Sequence, residues 1–348
     1  MPRGRRRSVL RQISAHIAAA GAEQAEIPTP GTGPGGQGFG PRATDQPPHF
    51  TCGDLAGALA FFKEQGYVIF ADALSPGQLT HINNFCDRTQ RDDPEGWQIP
   101  VDGSSWTGAR YSQPLLDTDE LDCYTRLPSI FPFVSAVFGE GNERFSEFNL
   151  RDTPAGAGSM KMHFHHDAAL PQRVLRKPYH PCDRLCSICY LTDVGADEPS
   201  FAVVPRSVRH EPIGRAKLEL GADYVEQPLY GQAGTCVFYD IALYHTRLDS
   251  ITGNDKRGRR TMHEYYSRGG YLDVPAGPAG EWKAHTREPT PLLTNWVKIP
   301  ERMAASPDPK QRLFFSHWNV GQCEWAALGF PPLERVGGNS IYRPVLPQ

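Results

Sequence analysis

A chain of 348 residues with 39% hydrophobic content is long enough for one elaborated domain and can bury a substantial core. The formal net charge of −3 gives no general electrostatic drive toward nucleic acid or anionic membrane, so a small-molecule partner is expected. No apolar run approaches the roughly 20 residues needed to span a bilayer, and eight cysteines are too sparse for a disulfide scaffold, which points to reduced thiols and a cytoplasmic compartment.

Residues 1–20 are acid-free and carry Arg3, Arg5, Arg6, Arg7 and Arg11 among apolar residues. Solvated basic tails and organellar transit peptides share that composition. From Pro28 to Pro48 the text is Pro/Gly-rich and cannot bury enough apolar surface to order itself, so 1–48 reads as a flexible N-terminal segment. Order is expected near Phe50. Asp54 caps a helix whose Leu55, Leu59 and Phe62 recur at helical spacing, and Gly66 stops it. "YVIF" at 67–70 reads as a strand. Ser75 with Pro76 opens a second helix with Leu79, Ile82 and Phe85 on its apolar face.

From about Phe145 the pattern becomes short strands: "FSEFNL", "SMKMHFH", "RLCSICYLTDV", "SFAVV", "GTCVFYD" and "RTMHEYYS". Many short strands after a few helices predict a mainly β protein with helical additions, an α+β chain with a jelly-roll core. Residues 49–275 are assigned to that domain, with the barrel from about 145, and 276–348 to a C-terminal extension packed on it. Trp282, Trp296, Trp318 and Trp325 in the extension suit a lid, a subunit interface or a local core. Oligomeric state is not legible.

The string "KMHFHHDAA" at 161–169 carries the chemistry. A strand alternates its faces, so Lys161, His163, His165 and Asp167 share one side and His166 points the other way. His165 and Asp167 can place an imidazole nitrogen and a carboxylate oxygen on one metal. A third ligand, His245, follows the strand-like "GTCVFYDIAL" 80 residues after His165. Two His and one carboxylate form the facial triad that leaves open positions on Fe(II), with room for a bidentate 2-oxo acid and for O2. The carboxylate suits a hydroxylase; a halogenase needs that position vacated for halide. Arg259, 14 residues after His245, opens a strand whose Thr261, His263 and Tyr265 share its face, and its guanidinium fork matches the distal carboxylate of 2-oxoglutarate. Arg260, of opposite parity, is the fallback anchor. Lys161, Arg110, Tyr111 and Tyr124 are candidate substrate-lining residues.

Three stretches together resemble the phytanoyl-CoA dioxygenase family over about Phe61 to Tyr266. "FFKEQGYVIFADALSPGQLTHINNFCD" resembles its opening, "RDTPAGAGSMKMHFHHD" its Pro/Gly-rich approach to the ligand string, and "YLTDVGADEPSFAVVPRSVRH" its Leu-Thr-Asp strand and following turn. The resemblance selects His165 over His163. It implies a cupin-like double-stranded β-helix, Fe(II), 2-oxoglutarate and O2 with ascorbate as reductant, and hydroxylation of a small molecule such as a natural-product intermediate. The chain departs from the pattern at Arg206 and Val208, where Gly and His are usual. Arg247 stands in the place of a small hydroxyl residue, and extra residues separate His245 from Arg259.

Other readings predict different chemistry. His163, His165 and His245 could form a three-histidine cupin site with Asp167 beside it. Cys182, Cys186 and Cys189 have the CxxxCxxC spacing of a [4Fe-4S] cluster, although an odd offset sends Cys186 and Cys189 to opposite faces of a strand. A barrel that only binds a ligand would tolerate Ala at His245.

Overall fold

The computed structural model describes residues 40–97, 109–155, 164–166, 182, 184–210, 213–249, 258–268, 301–304, 306–315, 333–336 and 341–344. Asp167, His163, Lys161 and the four tail tryptophans lie outside them. Of the Pro/Gly-rich stretch, residues from Gly40 onward are described, and there the chain is tied down. Gly40 N–H donates to Glu226 Oε1 at 2.9 Å, and Ala43 N–H to the Glu226 carbonyl at 3.0 Å.

Strand β1 (His49–Phe50) leads into helix α1 (Leu55–Gln65). Asp54 caps α1 by accepting from Gly57 N–H, and Gly66 ends it at φ 83°. Glycine is required there, since φ is positive and a Cβ would lie 2.7 Å from Val208 Cγ2 and 2.9 Å from Leu243 Cδ1. Strand β2 (Tyr67–Phe70) follows, then helix α2 (Pro76–Asp92), which opens with a capping box between Ser75 and Gln78. Strand β3 (Arg110–Ser112) and helix α3 (Phe131–Phe138) precede the long strand β4 (Glu143–Thr153).

The chain then alternates between two sheets. Strands β5 (Arg184–Tyr190), β8 (Cys236–Asp240) and β10 (Arg259–Arg268) join the larger sheet, in the order β1-β2-β8-β5-β10-β4-β3. Strands β6 (Ser200–Val203), β7 (Gln227–Leu229) and β9 (His245–Leu248) form the smaller, in the order β7-β6-β9. An antiparallel bridge between His165 and His245 adds the segment around His165 to the side of β9 away from β6. Helix α4 (Ile213–Leu220) lies in the crossover from β6 to β7.

Alternation along each strand sorts the buried side chains into separate cores, two of which lie on the faces of the larger sheet. Tyr67, Ile69, Cys186, Ile188, Val237, Tyr239 and Tyr265 of the larger sheet pack with Phe201, Val203 and Leu229 of the smaller. The opposite face, with Phe70, Phe145, Phe148, Cys189, Cys236, Phe238 and Tyr266, packs against α1, α2 and α3. Two C-terminal helices, α5 (Glu301–Ala304) and α6 (Pro309–Phe314), put Met303, Phe314 and Phe315 into that outer core. A last pair, β11 (Leu333–Val336) and β12 (Ile341–Pro344), is antiparallel.

Candidate functional site

The smaller sheet brings the two histidines together. His165 N–H donates to the His245 carbonyl at 3.0 Å and His245 N–H to the His165 carbonyl at 2.7 Å. Such a pair faces its side chains the same way, and the two ring centroids are 4.5 Å apart. His245 is buried and His165 half-buried. The His245 Nδ1 proton goes to the Leu243 carbonyl at 2.8 Å, which makes Nε2 the lone-pair nitrogen. That carbonyl is positioned in turn by Leu243 N–H bonding to the Asp240 carbonyl at 2.8 Å and by the Leu243 side chain resting on Gly66. Rings of Tyr239 at 4.7 Å and Phe201 at 5.5 Å wall the imidazole. His166 has the other parity and lies 5.2 Å from the Tyr244 ring.

Imidazole is a donor that suits Fe, Ni or Zn, which makes this pair a candidate metal site. Among the described residues no group of three His, Cys, Asp or Glu side chains converges on one point, and Asp167 and His163 lie outside them. The cysteine spacing brings no cluster together. Cys186 sits between the two sheets, whereas Cys182 and Cys189 belong to the outer core.

Strand β10 presents Arg259, Thr261, His263 and Tyr265 to the interior. The close approach of Gly258, whose Cβ would lie 2.7 Å from the Thr153 carbonyl, sets the start of the strand. Arg259 is 9% exposed, and its Nε and Nη1 are buried with no hydrogen-bond partner among the described residues. Burial pushes its value down to about 10; the tyrosines 190 and 111 oppose this while the like charges of Arg247 and Arg151 add to it. It stays cationic at neutral pH. A buried guanidinium with unused donors costs free energy unless an anion meets it. Arg260 points the other way and is engaged, with Asp87 at 2.9 Å, Asp152 at 3.4 Å and Asn83 Oδ1 at 3.0 Å.

Sequence reading overlooked two interior residues, Asn149 and Arg151. Arg151 stacks on Tyr111 at 4.9 Å, donates to Asn149 Oδ1 at 2.8 Å and reaches Tyr265 Oη at 3.3 Å. His263 shares a 3.0 Å hydrogen bond with Thr261. The signal was present, since Asn149 and Arg151 alternate on β4, but the facing strand was needed to read it. Tyr111 faces inward opposite Arg151, whereas Arg110 is exposed and Tyr124 lies in the outer core, hydrogen-bonded to His81 at 2.8 Å.

No family model matches the chain, and no curated protein does. Among solved structures the chain is similar to the non-heme alpha ketoglutarate dependent epimerase SnoN from nogalamycin biosynthesis, with 17% identity and a TM-score of 0.49 over 63% of this chain and 84% of that one. It is similar to the non-heme alpha ketoglutarate dependent carbocyclase SnoK from the same biosynthesis, with 20% identity and a TM-score of 0.49 over 64% and 88%. HygX from Streptomyces hygroscopicus, solved with nickel, 2-oxoglutarate and hygromycin B, has 15% identity and a TM-score of 0.47 over 61% and 86%. At such distances, what this chain does has to be argued from its own residues.

Proposed function

We propose that this chain is an Fe(II)- and 2-oxoglutarate-dependent oxygenase that hydroxylates an unactivated C–H of a small organic molecule, with His165, Asp167 and His245 as metal ligands and Arg259 as the anchor of 2-oxoglutarate. The observation that carries the reading is the reciprocal backbone pairing of His165 with His245, which sets their rings side by side. Its complement is the Arg259 guanidinium facing the same interior, whose Nε and Nη1 have no hydrogen-bond partner among the described residues. The strand order, with β4, β5, β8 and β10 in one sheet and the ligand string, β6, β7 and β9 in the other, supports a double-stranded β-helix. Motif likeness to the phytanoyl-CoA dioxygenases stands on the quoted stretches alone.

Bound Fe(II) with 2-oxoglutarate would supply the activation of O2 and the loss of CO2 that leaves succinate. The protein's own groups do the rest. The Leu243 carbonyl holds the His245 ring in one tautomer and orientation. Arg259 pairs with the distal carboxylate, which removes the cost of its unused donors. Tyr239, Phe201, Val203 and Leu229 line the interior with apolar surface and exclude water from the reacting side.

The test is succinate release with Fe(II) across a panel of candidate small molecules, run beside direct Ni(II) titration. His245→Ala is expected to lose both metal affinity and turnover. Equal succinate from His245→Ala and the parent chain would sink the proposal. Asp167→Ala separates the two metal readings, since a facial triad loses turnover while a three-histidine site keeps it.

A further inference from the structure

Among the described residues the interior carries more arginines than the one distal carboxylate of a 2-oxo acid can meet. Arg151, Arg247 and Arg259 all face the space between the sheets, and Arg151 and Arg247 both add like charge to Arg259. In the reading above, one carboxylate of 2-oxoglutarate goes to the metal and only the distal one remains for the arginines. Arg247 has an acid beside it, Asp249 Oδ1 at 3.4 Å. Arg151 has none within ion-pair distance among the described residues: its partners there are the Asn149 amide oxygen, the Tyr265 hydroxyl and the Tyr111 ring. Glu147 acts on it electrostatically from the same strand face, and the Asn149 amide between them donates to Glu147 Oε1 at 2.6 Å.

Arg151 and Arg259 also serve different places. Strand register puts Arg151 opposite Thr261 and Arg259 opposite Thr153. From there the Arg151 side chain runs back past Asn149 to Tyr265. Tyr265 and Tyr239 both pair with Cys186, and the Tyr239 ring lies against His245. The Arg151 guanidinium therefore approaches the rung that holds the metal ligand, whereas Arg259 sits three inward-facing positions earlier on β10. Arg151 is half-buried as a residue although it lies on the inner face. A planar cation laid on an aromatic ring, with its fork held by an amide and a phenol, is preorganised for an oxyanion.

We propose that Arg151 and Tyr111 form a second anion subsite that takes an acid group of the substrate, carboxylate or phosphate, while Arg259 takes the distal carboxylate of 2-oxoglutarate. The substrate is then an organic acid or a phosphate ester, held by its charge with the rest of the molecule toward His165 and His245. The assignment rests on the oxygenase reading of the same interior.

The experiment uses the full chain loaded with Ni(II) and saturated with 2-oxoglutarate. Inorganic phosphate and acetate are titrated separately by calorimetry, at constant ionic strength made up with sodium chloride. Saturable binding of at least one anion at a single site is expected, weakened about tenfold or more in Arg151→Gln and unchanged in Arg260→Gln. Affinity for 2-oxoglutarate in Arg151→Gln should stay within about threefold of the parent. Should Arg151→Gln not fold, Arg151→Lys keeps the charge and loses the fork, and is expected to weaken the anion about threefold or more. No binding beyond chloride, or equal binding by the Arg151 variants, overturns the proposal. So does a variant that loses 2-oxoglutarate instead, because Arg151 then belongs to the 2-oxo acid. Failure of the oxygenase reading is separate: the parent chain would not bind 2-oxoglutarate at all, or Arg259→Gln would bind it equally well.

Discussion

Adjacent arginines with opposite fates show what a residue's parity decides. Arg259 has two donors in the interior without a partner among the described residues, whereas Arg260 is shared among Asp87, Asp152 and Asn83 on the other face. Arg259→Gln is expected to weaken 2-oxoglutarate about tenfold to a hundredfold, as loss of a charge-assisted hydrogen bond does, while removal of an unmet charge leaves stability level or raised. Arg260→Gln should keep 2-oxoglutarate affinity and cost about 1 kcal/mol of stability, the scale of a partly exposed ion pair. Calorimetric titration and urea melts of both variants check this; the reverse pattern would move the anchor to Arg260. The sequence could say that one of the two faced inward, because alternation is local. It could not say which face was the interior, because β10 is covered on both sides. That double burial also hid Glu264, whose partner at Oε2 is the Tyr266 hydroxyl at 2.7 Å and whose Oε1 has none among the described residues. Burial holds its carboxyl well above the usual range, against the opposing Tyr266 hydrogen bond, so the folded chain keeps a proton that the unfolded chain releases near pH ~4.3. Its stabilising share is fully present below that pH and is lost as pH rises toward the folded value. Glu264→Gln keeps an acceptor for Tyr266 and removes the titration. Its urea midpoint should match the parent near pH 4 and exceed it at pH 7; a parent midpoint that is flat across that window would refute the assignment.

At the level of elements, those with local punctuation were legible. Asp54 and Gly66 bound α1, Ser75 and Pro76 open α2, and strands β4, β5, β6, β8 and β10 fall where short β-branched and aromatic runs stand between turn residues. Helix α3 was not, since "FPFVSAVF" is apolar nearly all round and has no polar face to mark a period. Strands β3 and β7, of three residues each, are defined by their neighbours rather than by their own pattern. The turn after β6 shows how a departure in sequence becomes strain. Arg206 adopts φ 64°, a left-handed conformation that favours glycine, at the position where the resembled family has glycine. Its compensation is an ion pair with Asp223 at 3.1 Å, both groups exposed. Strain of about 1 kcal/mol exceeds an exposed pair worth a few tenths, so Arg206→Gly is expected to gain about 0.5 kcal/mol. Arg206→Ala, which keeps the strain and loses the pair, should be less stable than the parent. A urea melt in which the alanine variant is more stable than the glycine variant would show that the turn is not strained.

Across the whole molecule, the larger sheet divides two tasks between its faces. Inward residues of β4 and β10, among them Arg151, Arg259 and Tyr265, form the candidate site; outward residues of the same strands, Phe145 and Tyr266, receive the C-terminal segment. There Phe314 packs edge-on against Phe131 at 5.4 Å and lies 6.2 Å from Tyr266. Arg302 clamps Asp122 with one contact at 2.7 Å and bonds to the carbonyls of Leu115 and Thr118. The sequence after residue 275 was assigned to an extension packed on the barrel, but these helices were not placed in it, because helices of four and six residues are too short for a period to show. The arrangement makes stability and ligand binding separable. Phe314→Ala empties a fully buried site in the outer core and is expected to cost about 3–5 kcal/mol, read as a lower urea midpoint. Because interiors are close-packed, some of that loss will reach β10, yet the inward register is held by the β4 and β5 ladders on either side of it. Affinity of the folded Phe314→Ala chain for 2-oxoglutarate should therefore fall less than threefold at a temperature where the variant is still native. A tenfold loss without unfolding would mean that the C-terminal segment sets the position of the interior arginines, and the two faces of the sheet would then have to be treated as one coupled site.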